Sequence, residues 1–189
     1  MKENVKTNVI QMAQLAMMTA ISVVLVAFVR IPLIPAAGFL IYDMADVPIL
    51  IAALVFGTVP ALVVLFLVST IQAFLFGGDG WVGMVMHVIA SGALVVMVGW
   101  FHHKFHKTSR TIVGMVLGVI AMVAVMIPMN LTLTVYFLNQ PREAVMALLL
   151  PAIIPFNLIK GGLNCILAGA LFQALTPFIR HNREVIRPV

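Results

Sequence analysis

Asn157, Lys160 and Asn164 interrupt an otherwise apolar run, IPFNLIKGGLN, at spacings i, i+3 and i+7, so they share one face of a helix. An ammonium offers three donors, and a carboxamide both donates and accepts, so the face can hydrogen-bond a polar partner. A lysine at mid-bilayer costs about 2.5–3.5 kcal/mol on insertion scales. No acidic residue is near Lys160 in the sequence, and it lies roughly two or three turns inside the outer end of its apolar block. Either the side chain snorkels outward, or the face lines a polar cavity completed by other helices or by a ligand. Asn130, in MIPMNLTLTVYF, is a second amide on a proline-marked helix and a natural co-liner. Together these residues predict a site for a polar small molecule entering from outside.

Other candidate groups are sparse. His87, in GMVMHVIASG, sits inside an apolar block and serves either a ligand or a neighbouring helix. His102, His103 and His106 lie beside Lys104 and Lys107, which would repel a metal cation, and read as a solvated interfacial loop. Asp43 and Asp46, three apart in IYDMADVP, would share a face if helical. Asp46 before Val47 and Pro48 reads as a helix N-cap. Asp79, in FGGDGW, reads as a turn residue. The single cysteine, Cys165, excludes an internal disulfide and a cysteine metal cluster. No phosphate-cradling G-x-x-x-x-G-K-[ST] loop and no H-E-x-x-H or Ser/His arrangement occurs, so no catalytic site, metal or bound cofactor is expected. Ala16 and Ala20, in AMMTA, form a small-x-x-x-small pattern that permits close helix approach, either within the chain or to a partner.

The elements that must position these groups follow from composition. The chain is 63% hydrophobic and 9% charged, far from a soluble domain, and reads as one integral membrane domain over 1–189 without a soluble part. The N-terminal stretch is not expected to be a cleavable signal, because the apolar run behind it is too long and lacks a cleavage site. Apolar blocks fall at 8–29, 47–57, 60–76, 83–101, 111–137 and 151–178. The second is too short to span alone; it forms a tight hairpin with the third, and 30–46 forms a long structured loop. The expected fold is all-α, with six transmembrane helices. Placing both termini on one side gathers eight of the eleven Lys and Arg residues there, and that side is cytoplasmic by the positive-inside rule. The net charge of +5 then reflects topology and lipid contact and implies no nucleic-acid partner.

In order along the chain, AMMTA, YDMADVPILIAALVFG, GGDGWVG…ASG, MNLTLTVYF and PAIIPFNLIKGGLN resemble the substrate-binding S components of energy-coupling factor (ECF) transporters, in particular the riboflavin-binding family. The resemblance covers nearly the whole chain. It implies six helices in the cell membrane and an extracellular-facing vitamin site closed by the loop after helix 1. It also implies a transmembrane coupling subunit, docked through Ala16 and Ala20, and two cytoplasmic ATPases that use the ATP. Asn130, Asn157 and Lys160 match pocket positions of riboflavin binders, and the likeness implies delivery by toppling of the docked subunit. Phe39, Tyr42, Trp81 and Phe156 could wall a flavin ring. The same scaffold could serve pantothenate, whose carboxylate would suit Lys160, or a hydroxymethylpyrimidine thiamin precursor. A membrane enzyme acting on lipid head groups would need clustered acids, and the six here are scattered. A ligand-free assembly subunit would leave Lys160 and the asparagines unexplained.

Overall fold

Each apolar block is helical in the computed structural model, which describes residues 2–34, 37, 40–76, 80–137 and 139–181. Helix α1 is Lys2–Phe28, α2 Asp46–Phe56, α3 Thr58–Leu75, α4 Gly80–Phe105 and α5 Thr108–Met129. A π-helical segment, Asn130–Thr134, leads into the short α6, Val135–Phe137. After a break come α7, Arg142–Leu148, a second π segment, Leu149–Ile153, and α8, Ile154–His181. Among the described residues five helical stretches are long and apolar enough to cross a membrane, and α2 is a shorter apolar helix.

All eleven residues of α2 are buried. A helix apolar all round belongs at the centre of a bundle, and α2 packs against α1, α3, α4 and α8. Gly57 separates α2 from α3 at φ 98°, a conformation that side-chain-bearing residues avoid. Pro60 falls in the first turn of α3, where its missing N–H costs little. The hairpin expected at 47–76 is therefore formed.

Helices α4 and α5 pack tightly because glycines let their backbones meet. A Cβ at Gly118 would lie 2.7 Å from Leu94 Cδ1 and 3.1 Å from the Leu94 carbonyl oxygen. Gly118→Val is accordingly expected to cost about 1–3 kcal/mol by overpacking, read as a lowered melting temperature in detergent. An unchanged melt would show that the two helices part without cost.

Between α1 and α2 the chain forms a two-residue antiparallel ladder, pairing Ile31 with Tyr42 and Pro32 with Ile41. Ala37, Leu40 and Tyr42 from this loop pack with Val145, Ala152, Ile153 and Phe156 in a small apolar cluster, separate from the main core around α2. The site lies between the two clusters.

Two prolines mark the π segments. Pro128 lies inside α5, just before the first, and Pro151 lies within the second. Side chains occupy the carbonyls that irregular turns leave free: Asn130 Nδ2 donates to Met126 O at 2.8 Å and Thr132 Oγ1 to Pro128 O at 2.7 Å. Single π turns inside α-helices are frequent at functional sites, and both of these border the cavity described next.

Candidate functional site

Lys160 is buried, and it has an acidic partner after all. Its Nζ donates to Asp43 Oδ2 at 3.0 Å, across 117 residues of sequence. Asp43 stands in the loop before α2, and its other oxygen accepts from the Ala45 N–H at 3.1 Å. Gln72 Nε2, from α3, donates to the same Oδ2 at 3.3 Å. The snorkelling alternative is excluded by this geometry. An intramembrane lysine that cannot reach water must be paired, and the fold supplies the counter-ion from a loop.

Asp46 is not the N-cap that the Asp-Val-Pro pattern suggested. Ala45 precedes the helix without a side-chain cap, and Asp46 is its first residue. Its carboxylate turns inward, toward His87 Nε2 at 3.1 Å and Asn164 Nδ2 at 3.4 Å. A carboxylate only accepts, so His87 Nε2 carries the proton; in the neutral ring Nδ1 then accepts from Ser69 Oγ at 3.1 Å. His87 thus ties α2, α3 and α4 together while also lining the cavity.

Asn164 lies one turn deeper than Lys160 and does not line the cavity. It accepts from Tyr42 OH at 3.0 Å and donates to the Asp43 carbonyl at 3.4 Å. Tyr42 and Asn164, both expected at the ligand, instead brace the loop that carries Asp43. Asn157 and Asn130 do line the cavity. Asn157 Nδ2 is held by Ile153 O at 2.8 Å, leaving Oδ1 as an acceptor, and Asn130 Oδ1 accepts from Thr134 Oγ1 at 3.3 Å.

These groups surround a cavity of about 540 Å³ bounded by the α1–α2 loop, α3, α4, the C-terminal end of α5 and the start of α8. That volume falls in the range of pockets that enclose small ligands. Phe156, Leu40, Val145 and Ile153 give it apolar walls, and Met84, Met86, Met122 and Met126 add adaptable ones. Gln72 Oε1 is buried at the lining without a hydrogen-bond partner among the described residues. Arg30 lies at the mouth, exposed, its guanidinium donating to Phe76 O at 3.0 Å.

Trp81 is 50% exposed, sits edge-on to Phe137 and is not part of the lining. Phe39 and Asp79 lie outside the described residues. At the other end of the bundle, His102 and His103 belong to the last turn of α4 rather than to a solvated loop. His102 Nδ1 meets Thr111 Oγ1 at 2.9 Å, and His103 Nε2 donates to Ala53 O at 2.9 Å, so both anchor α4 to its neighbours. Of these three histidines His106 alone is exposed, at φ 50°. Among the described residues no group of His, Cys, Asp and Glu could hold a metal ion.

Residues 10–172 match the family model described as ECF transporter, substrate-specific component. The chain belongs to this family. As an S component it is similar to riboflavin transporter RibU of Streptococcus thermophilus, at 34% identity over 164 residues, 82% of this chain and 77% of that protein. It is also similar to riboflavin transporter FmnP of Bacillus subtilis, at 26% identity over 178 residues, 89% of this chain and 93% of the other. A solved S component of a bacterial ECF transporter superposes with a TM-score of 0.76 at 26% identity, covering 90% of this chain and 97% of that one. These relatives are transport components, so the S component is not an enzyme and the lipid-head-group reading is set aside.

Asp43, Ser69 and Gln72 carry no local signal that marks them as parts of one network. For Asp43 a usable signal lies in the chain as a whole. Of the six acidic residues, only Asp43 and Asp46 stand in strongly apolar surroundings, and a buried lysine needs one of them.

Proposed function

We propose that this S component binds riboflavin from the extracellular side and delivers it through a transmembrane coupling subunit served by two cytoplasmic ATPases. The observation that carries the reading is the cavity itself: apolar walls around a floor of amides and one paired lysine. A flavin ring asks for flat apolar contact, while its carbonyls, ring N–H and ribityl hydroxyls ask for donors and acceptors. Lys160 retains two N–H donors beyond its bond to Asp43, Asn157 Oδ1 accepts, and Gln72 Oε1 is an acceptor in need of a donor.

Orientation supports entry from outside. The cavity occupies the bundle end formed by the start of α4, the end of α5 and the start of α8. Lys104, Lys107 and Arg110 lie at the opposite end of α4 and α5, which the positive-inside rule assigns to the cytoplasm, together with both termini of a six-span protein in the cell membrane.

Purified protein is expected to carry yellow flavin absorbance or, once emptied, to quench riboflavin fluorescence saturably at one site per chain. A colourless preparation that leaves riboflavin fluorescence untouched and binds pantothenate in calorimetry would replace riboflavin with pantothenate.

A further inference from the structure

We propose that Asp43 is a specificity-determining residue: by neutralising Lys160 it makes the cavity floor accept an uncharged ligand in preference to an anion. For its first ligand pair the proposal rests on the riboflavin reading above.

The Asp43 carboxylate is held from three directions, by the Ala45 N–H, Gln72 Nε2 and Lys160 Nζ, and it is 3% exposed. So anchored, it stays with Lys160 whatever enters the cavity. Asp46 adds a second negative charge nearby, against His87. At the floor the lining therefore holds one carboxylate paired with one ammonium, a sum of 0, and the Asp46 carboxylate adds a further negative charge behind His87.

An anion within reach of Lys160 Nζ also comes close to the Asp43 carboxylate, so attraction and repulsion largely cancel. Its lost hydration is left without compensation. A neutral carbonyl or hydroxyl loses far less hydration and still takes a charge-assisted hydrogen bond from Lys160. Arg30 is the other fixed cation of the lining, but it is exposed at the mouth, where water and salt screen it. It can attract an anion to the entrance without holding one at the floor. The lysine that invites a carboxylate in the bare sequence is thus spent on a carboxylate of the protein itself.

The test compares riboflavin with flavin mononucleotide, the same ring with a charged phosphate, by fluorescence quenching on the full chain in detergent. Wild-type protein is expected to prefer riboflavin. Asp43→Asn should shift the affinity ratio toward the mononucleotide by about tenfold or more, a factor equal to 1.4 kcal/mol. Lys160→Gln leaves Asp43 without its cation and should shift the ratio the opposite way. The double variant should return it near the wild-type value. Each variant is read as a ratio of two ligands on one preparation, so general weakening of binding drops out, and either single variant alone decides the sign.

Equal wild-type affinity for the two flavins, or a ratio that does not move in the single variants, overturns the role of Asp43 while leaving riboflavin as the ligand. If neither flavin binds, the riboflavin reading fails by itself. Panthenol and pantothenate, a neutral alcohol and its carboxylate, then carry the same comparison, and a wild-type preference for pantothenate overturns the proposal.

Discussion

Lys160→Ala is expected to weaken ligand binding by about tenfold to a hundredfold and to lower the melting temperature in the same preparation. Both effects have one source. The ammonium is shared between Asp43 and the cavity, and a hydrogen bond to a charged group contributes about 1.5–3 kcal/mol. Removing Lys160 also leaves Asp43 buried without a cation, and breaking a buried pair from one side costs about 3–5 kcal/mol. Insertion into the membrane should persist, since the substitution makes α8 more apolar. The two effects separate in the double variant Asp43→Asn with Lys160→Gln. Two neutral amides can hydrogen-bond each other without a stranded charge, so the melt should recover while affinity stays low. Titration and thermal denaturation of both variants side by side make the check. Unchanged affinity in Lys160→Ala removes the lysine from the ligand site, and an unchanged melt means that the ion pair does not hold the loop.

What the sequence could and could not show divides along range. Helix positions were legible because an apolar block long enough for lipid has no alternative to a helix, and Gly57 and Pro60 punctuated the α2–α3 hairpin visibly. Asn157 and Lys160 were legible as one face because spacing within a helix is local. Their partners were not, because periodicity carries nothing about which loop descends onto which face. Asp43 is 117 residues from Lys160, and Tyr42 is 122 from Asn164. The Asp46 cap failed for a related reason: local pattern favoured a cap, but a half-buried histidine and a buried amide from two other helices offered the carboxylate stronger partners. Asn164 shows the remaining limit. It shares its face with Lys160, yet one further turn takes it from the cavity floor into the bracing beneath.

Substituting tryptophan at Ala16 and Ala20 is expected to abolish riboflavin uptake by cells while leaving binding to the isolated S component within about twofold of wild type. Helix α1 buries Ser22 and Val26 against the bundle, and Ser22 Oγ donates to Ala45 O at 2.9 Å. Ala16 and Ala20 stand on exposed ground with Met12, Met17 and Val24. Among the described residues nothing therefore needs the alanines to be small. Lipid does not need it either, because an acyl chain packs against tryptophan as readily as against alanine. Small residues on a lipid-facing ridge gain meaning when another helix must come close enough for backbone contact, which is the role proposed for the coupling subunit. Co-purification with that subunit, uptake in cells and ligand titration of the isolated chain read the three consequences separately. Loss of ligand binding along with assembly would place the alanines in the fold rather than at the docking face. Assembly that survives both tryptophans would move the docking face elsewhere and leave this ridge to the lipid.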